Sequence, residues 1–426
     1  MTLPDTDPDA AVRRAVETVF RMERARLIGG LARMLRDIDL AEDLAQEALL
    51  AALADWPRSG IPARPGAWLM ATAKRRAIDR FRHRRMQARK LTELGHAPED
   101  DGAAQVTAAE AAMDDDLGDE ILGLIFAACH PLLTAEARVA LTLRLIGGLT
   151  TDEIARAFLA KDATIAQRIL RAKKTLGRAG LAWEIPEGDA LKPRLASVLE
   201  VIYLVFNEGY AATAGDDLIR PALADEARRL GRILAAAMPG EAEIHGLCAL
   251  MDLQASRFAA RVAPDGSPVP LTGQDRRLWD RTLIRRGLDA LAKAEAAGGA
   301  DGPYALQAAL AACHARAGRA EDTDWPRIAG LYDRLAVVMP SPVVELNRAV
   351  AHGVAFGPGV GLALLAPLDG LPALAGYAPL QAAIGDMLAR AGQPGEAQAR
   401  FTRAASLTSH PRERDFLLAR AAACVV

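Results

Sequence analysis

Three sets of side chains have types and spacings suited to gripping other macromolecules rather than making bonds. The first is an acidic and amide stripe. At about 100° per residue, Asp43, Gln46, Glu47 and Leu50 share one helical face, with a single large apolar residue among polar ones. The second is basic and aromatic: Trp68, Thr72, Arg75, Arg76, Asp79 and Arg82 share a face of the next helical pattern, and Arg58 and Ser59 stand in the stretch before it. Arginines neutralise phosphates, and flat side chains stack on bases that leave a duplex. The third set is Thr164, Gln167, Arg168, Arg171 and Lys174. Arginine can pair with guanine edges and glutamine with adenine edges. No nucleophile–base pair, Gly-rich phosphate loop or metal-ligand cluster stands out. The sequence therefore predicts no enzyme, no cofactor and no metal. Cys129-His130 has no further ligands nearby and reads as core.

These sets need helices to hold them. Leu40, Leu44, Ala48 and Ala51 form the inward face of the helix that carries the acidic stripe. A loop over Arg58 to Pro65 follows, with Pro62, Pro65 and Gly66 as breakers. Met70, Ala77, Ile78 and Phe81 are the inward face of the basic helix. A helix over 9–36, anchored by Val12, Val16, Val19, Phe20, Leu27, Leu31 and Leu35, completes a helical domain over 8–90. Residues 91–117 are rich in Asp, Glu, Gly, Ala and Pro. No Lys or Arg occurs between Lys90 and Arg138, which predicts a flexible acidic linker. Residues 118–182 read as a second helical domain. Thr150 and Glu153 have capping-box spacing, a short turn spans Leu159 to Asp162, and Asp162 is placed to cap the next helix. On that helix Ile165, Ile169, Ala172 and Leu176 face inward and the third set faces outward. This is a helix-turn-helix pattern, with Ala160-Lys161 where a turn glycine is usual.

Trp183, Pro186, Gly188 and Pro193 mark a boundary, and residues 186–426 read as further helices. Gly385, Leu388, Gly392, Ala397, Phe401 and Ala404 match the small and large positions of a TPR-type helix pair, and Ile328, Tyr332, Leu335 and Pro340 match a second. With 426 residues, abundant Ala and Leu and only 4% aromatics, the composition predicts an all-α chain of several domains. The four cysteines are scattered with no CxxC pair, which argues against a disulfide framework or zinc site and fits a reducing cytoplasm. The N-terminus lacks an apolar signal core, and no apolar run approaches the roughly 20 residues of a membrane span.

The segments AEDLAQEALLAAL and PGAWLMATAKRRAIDRFRHRR, in this order, resemble regions 2.2 to 2.4 of the extracytoplasmic-function (ECF) class of RNA polymerase sigma factors. The helix-turn-helix domain resembles sigma region 4. The resemblance implies that Asp43, Gln46, Glu47 and Leu50 meet core RNA polymerase at the β′ clamp helices, and that region 4 meets the β flap. It also implies that Arg58, Ser59, Trp68, Thr72, Arg75, Arg76 and Arg82 meet the −10 promoter element, and that Thr164, Gln167, Arg168, Arg171 and Lys174 meet the −35 element. The stretches YLVFNEGYAATAGDD, LTGQDRRLWDRTLI, GPYALQAALAACHA, EDTDWPRIAGLYDRL and SPVVELNRAVA resemble the ECF group with a long C-terminal TPR-like extension. There the expectation is a regulatory extension with a protein or peptide partner. Its candidate groove residues are Asn207, Glu208, Tyr210, Asp216, Asp217 and Trp325, with Asp275, Arg276, Trp279, Asp324 and Asn347 as further candidates. Two other readings stay open from sequence: a helix-turn-helix regulator with a helical sensor domain, and a TPR scaffold.

Overall fold

The computed structural model describes residues 8–93, 120–158, 160–181, 183, 185–210, 221–263, 269–408 and 411–424. Among them the chain is helical throughout and holds no β-strand. It divides into two compact units, residues 1–201 and 202–426. Most of the predicted linker, Gly95 to Leu117, and Asp216 and Asp217 of the candidate groove lie outside the described residues.

The first unit opens with α1 (Pro8–Leu35), α2 (Ile38–Ser59) and α3 (Pro65–Glu93). Arg36, the one non-glycine at positive φ among the described residues (53°), reverses the chain between α1 and α2. Asp37 then caps α2, its carboxylate accepting from the N–H groups of Asp39 and Leu40, both at 3.0 Å. Val16, Phe20, Leu27 and Leu31 of α1 close on Leu40, Leu44, Ala48 and Trp56 of α2 and on Leu69, Met70, Ala77 and Phe81 of α3, all buried. The inward faces read from the sequence are therefore the packed ones. The loop between α2 and α3 is shorter than expected. Helix α2 passes through Pro57 to Ser59, so Arg58 and Ser59 occupy its last turn. Their side chains satisfy the end of the helix: Arg58 donates to the carbonyl of Ala54 (3.1 Å) and Ser59 to that of Asp55 (3.1 Å). Pro65 opens α3 instead of ending the loop, because a missing N–H costs nothing at a first helical position.

Four more helices follow in this unit: α4 (Glu120–Ala128), α5 (Ala135–Leu145), α6 (Thr151–Ala157) and α7 (Asp162–Arg178). Thr150 and Glu153 make the predicted capping box, with the Thr150 N–H 2.7 Å and its hydroxyl 2.9 Å from the Glu153 carboxylate. Asp162 does not cap α7. The capping position is Lys161, in extended conformation, with no side-chain hydrogen bond, and Asp162 falls in the first turn, where its charge still favours the helix dipole. The turn closes without glycine through the Ala160 N–H on the Ala155 carbonyl at 2.9 Å. Ile165, Ile169, Ala172 and Leu176 are buried as predicted.

Helix α4 seats directly on α1. A Cβ on Gly29 would lie 2.3 Å from the Glu120 carbonyl oxygen, so only glycine lets the two backbones approach this closely. The helix α8 (Leu191–Tyr210) crosses the division between the units. Its first half belongs here: Arg194 donates to the Phe126 carbonyl (2.7 Å), Ser197 to the Cys129 carbonyl (2.6 Å), and Arg138 pairs with Glu200 (2.9 Å).

The second unit runs from the rest of α8 through α9 (Pro221–Ala237), α10 (Ala242–Ala255), the short α11 (Phe258–Arg261), α12 (Arg281–Ala296), α13 (Pro303–Arg316), α14 (Trp325–Val338), α15 (Pro342–Phe356), α16 (Pro358–Asp369), α17 (Ala378–Arg390), α18 (Pro394–Leu407) and α19 (Pro411–Ala423). Successive helices pack pairwise around two cores, one on Leu250, Trp279, Leu306, Ile328 and Leu335, the other on Leu346, Leu365, Leu388 and Phe401. In the pair α17–α18, a Cβ on Gly385 would meet the Phe401 ring at 3.0 Å, and Gly392 turns the chain at φ 75°. The small and large positions read from the sequence thus face each other. No described helix is long and apolar enough to cross a membrane.

Candidate functional site

The acidic stripe stands on the outer side of α2. Asp43 and Gln46 are exposed, and Leu50 is 58% exposed, whereas Ile38, Leu40, Leu44 and Trp56 of α2 are buried and Leu49 and Leu53 half-buried. Glu47 is engaged: its carboxylate pairs with Arg76 at 3.1 Å and Arg80 at 3.8 Å, both on α3. The stripe and the basic face are therefore adjacent and partly neutralise each other along one edge.

On α3, Arg75, Arg76 and Arg82 are exposed and Thr72 is half-buried. Trp68 is half-buried too, held edge-on against the buried Trp56 with ring centroids 5.3 Å apart. One face of an aromatic ring is thus steadied by the core beside a row of guanidinium groups. Arg58 and Ser59 lie at the end of α2, tied to their own helix as described, and Arg64 lies exposed in the loop.

On α7, Thr164, Gln167, Arg171 and Lys174 are exposed and Arg168 is half-buried. Thr164, Gln167, Arg168 and Arg171 line one open groove of about 660 Å³ with Thr134 and Glu136 at the start of α5. Glu136 is held below the usual carboxylate range, first by its own backbone N–H and then by the Thr134 hydroxyl. Hydrogen-bonding side chains of both signs thus converge on a helix whose other face is core, the arrangement a groove-reading helix needs.

One cluster escaped the sequence reading. Glu42, 15% exposed, accepts from Arg24 at 2.9 Å and Lys173 at 2.5 Å and stands 3.8 Å from Arg144. Lys173 also reaches Asp39 at 2.8 Å. Arg24 donates in addition to the carbonyls of Arg144 (2.7 Å) and Leu145 (3.3 Å) at the end of α5. Burial alone would lower the Lys173 ammonium, but its hydrogen bonds to Asp39 and Glu42 outweigh that and hold it above its usual range. This network ties α7 and α5 to α1 and α2. Beneath it, Arg26 stands 3.6 Å from the buried carboxylate of Glu120, whose pKa burial pushes up against the pull of Arg26, Lys74 and Arg33.

In the second unit the candidate groove residues do not form one open groove. Tyr210 stacks on Phe206 and carries the Arg261 guanidinium 3.6 Å from its ring centroid. Arg257 donates to the Tyr210 hydroxyl and lies 5.9 Å from the Trp279 ring, and Arg276 lies 4.8 Å from the same ring. Arg276 donates to the His314 carbonyl, and the His314 ring meets Trp325 edge-on at 5.5 Å. Tyr210 and Trp325 are thus each packed against other side chains, Tyr210 among Phe206, Arg257 and Arg261 and Trp325 against His314. Asn207 bonds Tyr203 at the end of α8, and Glu208 is also partnered. Asp275 caps a short helical turn and Asp324 caps α14, as packing polars do. Among the described residues no cluster of His, Cys, Asp or Glu could hold a metal ion.

Comparison with known proteins agrees with this geometry. Residues 19–86 match the model for Sigma-70 region 2, residues 124–176 that for Sigma-70, region 4, and residues 194–295 a family of unknown function (DUF6596). An uncharacterized protein, R00370, of Rhizobium meliloti is 41% identical over 92% of each chain. The ECF RNA polymerase sigma factor SigK of Mycobacterium tuberculosis is 32% identical over 40% of this chain and 92% of its own length. The SigK of Mycobacterium ulcerans is 31% identical over 35% of this chain and 78% of its own. No solved structure matches. A helical domain with an acidic stripe and a basic aromatic face, followed by a helix-turn-helix, defines a transcription initiation factor and not an enzyme. The chain belongs to the ECF RNA polymerase sigma factors, in the group with a long helical C-terminal extension.

Proposed function

We propose that this sigma factor docks on the β′ clamp helices of core RNA polymerase through Asp43, Gln46, Glu47 and Leu50. Region 2 meets the −10 element through Arg58, Ser59, Trp68, Thr72, Arg75, Arg76 and Arg82. Region 4 meets the β flap and reads the −35 element through Thr164, Gln167, Arg168, Arg171 and Lys174. The observation that carries the reading is Leu50, an apolar side chain left 58% exposed inside an acidic stripe of an otherwise well-covered helix. The test is Asp43→Arg with Glu47→Arg. Losing the exposed Glu47–Arg76 pair costs the fold at most about 1 kcal/mol. Core polymerase association should therefore vanish in a pull-down while helicity stays unchanged; undiminished binding removes the assignment.

The network at Glu42 bears on how the factor works. The two promoter elements lie about 25 base pairs apart, roughly 85 Å of duplex. Helix α2, with its 22 residues, is only about 33 Å long. A region 4 held 2.8 Å from Asp39 through Lys173 cannot serve the −35 element while region 2 serves the −10 element. The docked arrangement is the form away from the promoter, and the Glu42 network opens on engagement. The factor works in the cytoplasm. Residues 186–426 govern its activity, and their TPR-like helix pairs offer a broad surface to a protein or peptide partner. Truncation after residue 185 tests this: unchanged transcription from a cognate promoter, purified and in cells, refutes a regulatory extension.

A further inference from the structure

The loop before α12 and the turn after α13 border an open pocket of about 350 Å³, lined chiefly by Gln274, Arg276, Arg277, Arg281 and Arg319. The lining holds four guanidinium groups against one carboxylate, Asp275. That carboxylate is already occupied: it accepts from Nε (3.0 Å) and Nη2 (2.7 Å) of Arg277 and from the Arg277 N–H (3.0 Å). Arg319 stands 3.5 Å from Glu321, but both side chains are more than 70% exposed, so the pair is weak and readily exchanged. Arg281 has no ion pair among the described residues. The pocket is therefore strongly positive.

Its two deepest side chains are unfinished. Gln274 and Arg276 are 8% and 7% exposed, and each keeps a buried polar atom without a partner: Oε1 of Gln274 and Nε of Arg276. The Gln274 amide is oriented by its Nε2 donating to the Val269 carbonyl at 3.1 Å, so the spare atom is an acceptor. Arg276 is clamped by Nη1 on the Ala317 carbonyl (2.7 Å) and Nη2 on the Thr323 hydroxyl (3.2 Å), and it pairs with no carboxylate. Capping the end of α13 accounts for those two nitrogens. It does not account for three further arginines around the same pocket.

We propose that this pocket binds a small phosphorylated molecule. Arginine's planar fork matches phosphate oxygens in pairs, and a phosphate monoester carries close to two negative charges at neutral pH. One carboxylate would leave most of the positive charge unanswered. The volume lies at the small end of ligand pockets. The extension then holds a ligand site of its own, apart from the polymerase and promoter surfaces.

The test is titration calorimetry of the full chain with O-phospho-L-serine, inorganic phosphate and acetate at constant ionic strength. We expect one saturable site for both phosphate probes and little binding of acetate. Arg281→Gln with Arg319→Gln should weaken phosphate binding about tenfold or more. Arg403→Gln with Arg414→Gln, which removes two exposed charges outside the pocket, should leave it unchanged. Circular dichroism checks that each variant folds. Equal weakening in both double variants shows diffuse charge attraction and overturns the site. Acetate, or an acidic peptide without phosphate, binding as tightly overturns the ligand class. The absence of saturable binding by either phosphate probe overturns the proposal outright.

Discussion

Glu42→Gln keeps the shape of the side chain at the centre of the region 2–region 4 network and removes its charge. Arg24 and Lys173 are 14% and 13% exposed, so neither is freely rehydrated once Glu42 is neutral. Breaking a fully buried pair costs about 3–5 kcal/mol. Here Lys173 keeps Asp39 at 2.8 Å and Arg24 keeps two carbonyl oxygens, which lowers the expected cost. We expect about 2 kcal/mol against docking, about a thirty-fold rise in the undocked population. Lys173→Met should show coupling of about 1 kcal/mol with Glu42→Gln in a double-mutant cycle. Spin labels at Leu50 and Leu170, both exposed, report the separation of α2 from α7, and amide exchange in α7 gives the free energy of opening. A distance distribution unchanged by Glu42→Gln, with coupling below about 0.3 kcal/mol, would refute the view that this network holds the docked form.

Gly29→Val places side-chain atoms where the Glu120 carbonyl lies 2.3 Å away, so the label distances should lengthen as α4 leaves α1, with α1 still helical by amide exchange. Arg168→Ala should cost about 1–3 kcal/mol and relax specificity at one −35 position; uniform weakening across a −35 library would assign Arg168 to phosphate instead. His314 is pushed down to about 4, first by burial and then by the cations Arg257 and Arg276. The unfolded chain therefore binds the proton more readily. The stability from neutral His314 is complete above about pH 6.5 and is lost as the pH falls toward 4, about 2 kcal/mol between pH 7 and pH 5. Denaturant unfolding of His314→Asn should lack that loss.

The local chemistry was legible along the chain. Inward faces at 3.6-residue spacing placed Leu44, Ala48, Ala77, Phe81, Ile165 and Ile169 in the core, because burial of a helical stripe is the main force on each helix. The Thr150–Glu153 box formed because it needs only residues three apart. Two local readings failed for local reasons. Arg58 and Ser59 extend α2 because their side chains satisfy its last carbonyls, and Asp162 entered α7 because Lys161 took the extended capping position.

The sequence by itself determined the helical character, the acidic, basic and helix-turn-helix faces, and membership of the sigma family. Each depends on residue types within a turn or two of one another. Tertiary structure alone decided that Glu47 pairs with Arg76, that Glu42 and Lys173, far apart in the chain, share one ion cluster, and that Tyr210 and Trp325 pack against other side chains instead of lining one groove. The physical reason is that charge pairing and stacking act over a few ångströms of space, and no periodicity along the chain encodes which distant helix faces will meet.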